Sequence, residues 1–286
     1  MNQHTEHIIN KVEENWRKPL IAHTRDLFSS TFLPSHDLNH HLRTWDIAKS
    51  LLKELGTYNN QLTGEFVEGV MIAIFFHDVG MTKTRSSQHG KRSRELYEEW
   101  VTAGNHPKPA RHLDIARAIE RHDRKEEDLF VEFPLYEEPD LLTLVNVADD
   151  LDALGIVGIY RYAEIYLHRH VSLPTLGIRV LENVSLRFNT FSKVTALFPA
   201  IKNAYQSDYR EIITFYDRYN QQVLAETDPA DCFSGHLGVI NYIRQFSVKG
   251  TTRPVDFPQQ LEAIQAGKFV VDYFEQLKKN LVIYEV

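Results

Sequence analysis

The sequence holds a single cysteine, Cys232, so no internal disulfide can form and no cysteine-based metal cluster can be built. That usage suits the cytosol. Long apolar runs are missing too: the longest, residues 70–76, falls far short of the roughly 20 residues a membrane span needs. The opening stretch MNQHTEHIINKVEENW is polar and shows no signal-peptide core. No strong charge of either sign is present, since 32 Lys and Arg stand against 39 Asp and Glu for a net charge of −7. Such mild acidity argues against a general nucleic-acid or anionic-membrane binder, while leaving room for a local basic pocket. A GxxxxGK[ST] phosphate loop, an HExxH zinc helix and a GxSxG nucleophile elbow are all absent. So are internal repeats, low-complexity linkers and runs of alternating strands.

What the chain does have is histidine, 14 in 286 residues, several of them inside apolar segments. This distribution points to metal chemistry. Helical periodicity dominates from end to end and predicts an all-α protein. Asp37 is the expected N-cap of a helix running through Leu42, Trp45, Ala48, Leu52 and Leu55, with Gly56 as its stop. Residues 65–76, almost wholly apolar, read as a buried helix. Further helices are expected over 91–103, from Pro109 to His122, over 140–154 after Pro139, and near 258–279. A turn at Ser172 and Pro174 suggests a boundary there, giving a helical domain over 1–171 and a helical extension over 172–286. The aromatic stripe Tyr205, Tyr209, Phe215, Tyr216 and Tyr219 reads as helix core or a dimer seam.

The central dipeptide is His77–Asp78, which closes an apolar helix just before Gly80 turns the chain. An imidazole and a carboxylate emerging together from a core helix can ligate one divalent cation. Burying Asp78 without a counter-charge would cost several kcal/mol or force its protonation, so a metal is a natural partner. In NVADDLDALG, helical spacing puts Asp149 on one face with Leu142, Val145 and Asp152, and puts Asp150 with Thr143 and Asn146 on a face expected to meet water. Asp149 therefore needs a partner: a metal, a histidine, or an arginine such as Arg43 or Arg161. In SHDLNHHLRTWDIA, His40 and His41 open a helix; periodicity alone slightly favours His41, which lies over the centre of the Leu42, Trp45, Ala48 and Leu52 stripe, while His40 lies toward its edge, and either could face inward.

These residues carry a resemblance. A histidine, then His–Asp at the end of an apolar helix, then a distant aspartate, resembles the HD-domain superfamily of metal-dependent phosphohydrolases. ADDLDALGIVGI is similar to the ADRLDALGAIGI-type segment of its small hydrolase members, and the likeness spans roughly residues 30–165. In that pattern the first histidine precedes an Arg by three residues and an Ala by eight, which fits His40 with Arg43 and Ala48. The resemblance thus implies an HD-like helical bundle with a C-terminal helical extension and a divalent metal on His40, His77, Asp78 and Asp149. His89 and His122 are similar to two extra histidines of members that hold two ions, where the HD aspartate bridges. His122 also falls on the apolar side of its helix, while His89 follows a Ser-rich loop; His106 and His112 are spares.

Arg43, Lys83, Arg85, Arg121 and Arg124 are candidate cations for substrate phosphate. Asp78, Lys83 and Asp152 are the candidate catalytic groups, Asp152 as a proton acceptor or as an orienter of a ligand histidine. The donor set suits Mn, Fe, Ni, Co, Mg or Zn, one or two ions per chain. The expected partner is a small phosphorylated substrate, a nucleotide or other phosphoester cut by a metal-activated water; a homodimer is allowed, and nucleic acid and membrane are not expected. Two other readings of the same ligands are a di-iron oxygenase and a non-catalytic nucleotide-binding regulator.

Overall fold

The computed structural model describes residues 3–58, 62–86, 88–123, 140–196 and 199–281, and among them no strand occurs. The helices are α1 (Gln3–Phe28), α2 (Leu38–Tyr58), α3 (Gly64–Phe76), α4 (His89–Thr102), α5 (His112–Arg121), α6 (Leu141–Asp152), α7 (Gly155–His168), α8 (Leu173–Val194), α9 (Pro199–Ala225), α10 (Gly235–Ile243), α11 (Phe257–Ala263) and α12 (Lys268–Asn280). They fall into two compact units. One is Met1–Thr31, His36–Leu151 and Thr190–Lys202; the other is Phe32–Ser35, Asp152–Asn189 and Asn203–Val286. The chain therefore changes unit at 31/32, 35/36, 151/152, 189/190 and 202/203, and the turn at Ser172 and Pro174 lies inside the second unit. No described helix is long and apolar enough to cross a membrane.

The first unit is organised around α3. Thr63 caps this helix, its hydroxyl accepting from the Phe66 amide at 3.2 Å. Every side chain from Val70 to Phe76 is buried, so the helix is apolar all round and must be enclosed. Helices α1, α2 and α5 pack against it. Each large side chain buried there contributes about 1.5–3 kcal/mol relative to an exposed one. Two indoles tie α1 into this packing: Trp16 donates to Glu68 at 2.9 Å, and Trp45 donates to Glu13 at 2.7 Å. At its far end α3 delivers His77 and Asp78 into a short 3-10 turn, Val79–Thr82. Gly80 lets that turn lie on the start of α4: a Cβ there would come within 2.1 Å of the His89 carbonyl oxygen. The Gly80 amide donates to the Ser93 hydroxyl at 2.8 Å and fixes the approach.

In the second unit α7, α10 and α12 pack together, with the π-helical turn Arg244–Val248 against α7 and α10. Tyrosine hydroxyls lock the helices by donating to backbone carbonyls: Tyr216 to Ile159 at 2.9 Å, Tyr219 to Leu173 at 2.9 Å and Tyr273 to Ile156 at 3.2 Å. Gly177 allows α8 to close on α9, because a Cβ there would meet the Asn220 side chain at 2.1 Å.

Several local expectations need correction. The single helix expected near 258–279 is two, α11 and α12, because Gln265 takes a left-handed conformation with φ 54° between them. The helix expected to begin near Pro109 begins at His112, with Pro109 in the preceding turn, where its carbonyl accepts from the His112 amide. The helix expected over 91–103 begins two residues earlier, with His89 as the first residue of α4.

Candidate metal centre

The first unit gathers five of its histidine and aspartate ligand candidates from four separate helical segments, and a sixth from α6. Asp37 begins the arrangement: its carboxylate accepts from the Asn39 amide at 2.9 Å and caps α2. His40 and His41 follow in the first turn, and both are fully buried. The structure separates their roles. His40 Nε2 turns to the interior cluster, 3.1 Å from His77 Nε2. His41 Nδ1 instead lies 2.8 Å from the Ile74 carbonyl and packs its ring between Phe28 and Phe75. Burial, with His77 and His40 adding to it, holds the His41 pKa well below the usual value, so its ring is neutral.

Two donor groups result. His40, His77, Asp78 and Asp149 form one, and Asp78, His89 and His122 form the other. All six residues are buried, Asp149 with 8% of its surface exposed. Asp78 divides its oxygens between the groups. Oδ2 lies 3.3 Å from His40 Nε2 and 3.3 Å from His77 Nε2, while Oδ1 lies 3.2 Å from His89 Nε2 and 3.1 Å from His122 Nε2. Asp149 Oδ1 completes the first group, 3.6 Å from His40 and 3.8 Å from His77.

The outer nitrogens decide what the inner ones can do. Nδ1 of His77 is 2.7 Å from the Ile74 carbonyl, Nδ1 of His122 is 2.7 Å from the Ile119 carbonyl, and Nδ1 of His89 is 2.9 Å from the Ser86 carbonyl. A carbonyl can only accept, so each of these Nδ1 atoms carries the proton and each neutral ring presents a lone pair at Nε2. In the second group, two such Nε2 atoms face one another across 3.2 Å. That contact is repulsive unless positive charge lies between them. Two nitrogens bound to one cation at 2.0–2.1 Å stand roughly 2.9–3.4 Å apart for cis to tetrahedral angles, the spacing found here.

The electrostatics agree. Burial works against charging His77, but the charge of Asp78 and bonds from Asp149 and Asp78 outweigh it and raise its pKa to about 10. Burial likewise opposes ionisation of Asp78, yet His77, His122 and His40 drive its pKa well below the carboxylate range. For His89, Asp78 and then Asp123 outweigh burial and raise the pKa. The carboxylates thus stabilise positive charge at the Nε2 positions, whether carried by a proton or by a metal.

The other sequence candidates are placed as follows. Arg43 is buried, and its charge acts on Asp37. Lys83 is exposed just after the 3-10 turn, and Arg85 and Arg121 are half-buried. Arg124 lies outside the described residues. Asp152 is held by Arg161 at 3.0 Å, both side chains buried. Asp150 was expected to meet water; it is only 6% exposed, and Asn146 beside it on that face is 1% exposed. Helix α6 is enclosed on both sides, so its polar spacing does not mark a solvent face.

Two residues near the cluster were not singled out from the sequence. His36 is buried, its Nε2 3.9 Å from Asp78 Oδ2 and its ring edge-on to His40. Its position four residues before His40, in SHDLNH, was the available signal. Asp123, next to His122, places Oδ2 3.3 Å from His89 Nδ1.

Comparison with known proteins gives one match and two blanks. The family model of the HD domain matches residues 37–154, a span that contains both donor groups. No curated protein and no solved structure matches the chain.

Proposed function

From the membership of residues 37–154 in the HD-domain family, a superfamily of metal-dependent phosphohydrolases, we propose that this chain hydrolyses a nucleotide or other small phosphoester at a two-ion centre. The observation that carries the reading is the pair of inward Nε2 atoms, on His89 and His122, 3.2 Å apart beside a carboxylate shared with His40 and His77. His40, His77, Asp78 and Asp149 would hold the first ion; Asp78, His89 and His122 would hold the second. The mixed imidazole and carboxylate donors fit Mn, Fe, Ni, Co, Mg or Zn.

When bound, the ions supply Lewis-acid polarisation of a phosphoryl oxygen and a water of lowered pKa. The chain's own contribution is preorganisation. Backbone carbonyls of Ile74, Ser86 and Ile119 fix the tautomer and plane of three ligand rings, so the donors need not reorient during reaction. Asp78, rigid in the turn held by Gly80 and Ser93, sets the spacing between the two groups. Arg85, Arg121 and the exposed Lys83 belong to the same unit and are the proposed cations for substrate phosphate. Asp152, occupied by Arg161, takes no proton in this scheme.

The test is phosphate release from a panel of nucleoside mono-, di- and triphosphates and simple phosphate monoesters, with Mn(II) or with chelator. Turnover that needs the metal and vanishes in Asp78→Ala is expected. A metal-loaded protein that leaves every ester intact would refute the hydrolase reading, and oxygen uptake by the iron form would replace it with an oxygenase.

A further inference from the structure

The two donor groups are unequal in charge. The first contains two carboxylates, Asp78 and Asp149, whereas the second has a single carboxylate oxygen from the shared Asp78. A divalent cation in the second position is therefore short of negative charge among its inner donors. His89 is where the chain makes up the difference. Its Nδ1 lies 2.9 Å from the Ser86 carbonyl and also 3.3 Å from Asp123 Oδ2. His77 and His122, by contrast, set Nδ1 against the backbone carbonyls of Ile74 and Ile119.

We infer that Asp123 is a positioning residue for the second ion, acting through His89 by a carboxylate–imidazole contact that places negative charge behind the ligand nitrogen. The Ser86 carbonyl accepts the Nδ1 proton, and the carboxylate 3.3 Å from Nδ1 adds negative charge behind it, which makes Nε2 a stronger donor. The local sequence is built to bring it there. Gly90 follows His89 directly, and a Cβ at Gly90 would meet the Glu120 carbonyl oxygen at 2.6 Å and Asp123 Oδ1 at 3.2 Å. The missing side chain allows the end of α5 to close on the start of α4. Asp123 follows His122 in sequence, so one short segment supplies both a ligand and the support of the neighbouring ligand.

The inference rests on the two-ion reading, and its test separates the two. Mn(II) binding to the full chain is followed by equilibrium dialysis with metal analysis, so that the first and second binding steps are resolved. Wild type should take two ions, and Asp123→Asn should weaken the second step about 10–100-fold while leaving the first unchanged. Asp123→Glu, which keeps the charge, should restore most of the second step. If wild type takes two ions and Asp123→Asn binds both as tightly, the role of Asp123 is refuted and the two-ion reading stands. Equal weakening of both steps would also refute it, since a general structural support would act on both. A wild type that binds no more than one ion overturns the two-ion reading itself, and the role of Asp123 with it. Circular dichroism accompanies each sample, and Asp123→Ser, read by the same criteria, replaces any Asp123→Asn protein that fails to fold.

Discussion

Asp78 in the first unit and Glu164 in the second are both carboxylates removed from water, and their surroundings differ in kind. Glu164 accepts from the Ser35 amide at 2.8 Å, from the Tyr160 hydroxyl at 2.6 Å and from the Ser247 hydroxyl. Burial is the stronger influence, and the Glu164 pKa rises despite those bonds. Asp78 is surrounded by imidazoles instead, and its pKa falls. Neutral donors satisfy a buried carboxylate and make it part of the framework. Converging imidazole lone pairs do not satisfy one another; they satisfy a cation. Burial of an acid therefore says little about function, whereas the chemistry of its neighbours says a great deal. Asp152 gives a third solution, a buried ion pair with Arg161 that neutralises the charge within the chain.

The contrast can be broken by substitution. The largest effect is expected for Asp78→Ala, which removes a ligand from both groups. Metal affinity should fall by more than the roughly 10–100-fold that losing an outer partner costs, and elemental analysis of the purified variant should find no retained metal. Next comes Arg161→Met, which removes the buried cation 3.0 Å from Asp152. Urea unfolding should show a loss of about 3–5 kcal/mol, with metal per folded chain unchanged. Retained metal that drops in step with stability would mean that the framework and the centre are not separable.

Glu164→Gln should be milder still. The amide oxygen can keep the Ser35 amide bond while the two hydroxyls reorient to accept, so a loss of about 1 kcal/mol is expected. The sign of its pH effect follows from the raised pKa. A carboxyl whose folded pKa lies above the ordinary 4.5 binds its proton more tightly when folded, so its stabilising contribution is complete below 4.5 and is lost as pH rises through the folded value. Unfolding free energies measured across that window should fall with pH more steeply for wild type than for Glu164→Gln; parallel curves would contradict this. The smallest effect is expected for Asp150→Asn, buried on α6 but in neither donor group. Its metal content should match wild type, and a lost ion would mean that the assignment of α6 carboxylates is inverted.

The sequence made the framework of the centre readable because local rules fix it. Asp37 as a cap, an apolar α3 ending in His77–Asp78, and Gly80 as the turn each follow from one segment alone. The choice between His40 and His41 was poorly readable from periodicity, which slightly favours His41, since both are buried. It is settled by the Ile74 carbonyl, which lies within hydrogen-bond reach of both His41 Nδ1 and His77 Nδ1 and belongs to another helix. Asp150 misled for a related reason: an amphipathic pattern predicts a wet face only where the helix lies at a surface, and α6 does not. His36 sits outside any helix face, in a 3-10 turn before α2, where spacing rules have no purchase. Asp123 acts through a partner 34 positions away in sequence, His89, and only the fold brings the two together.

The most direct test of the whole account is anomalous diffraction from crystals of the chain soaked in Mn(II). Scattering peaks should appear between His40 Nε2, His77 Nε2, Asp78 Oδ2 and Asp149 Oδ1, and between Asp78 Oδ1, His89 Nε2 and His122 Nε2. A well-ordered crystal with those side chains in place and no peak among them would contradict it.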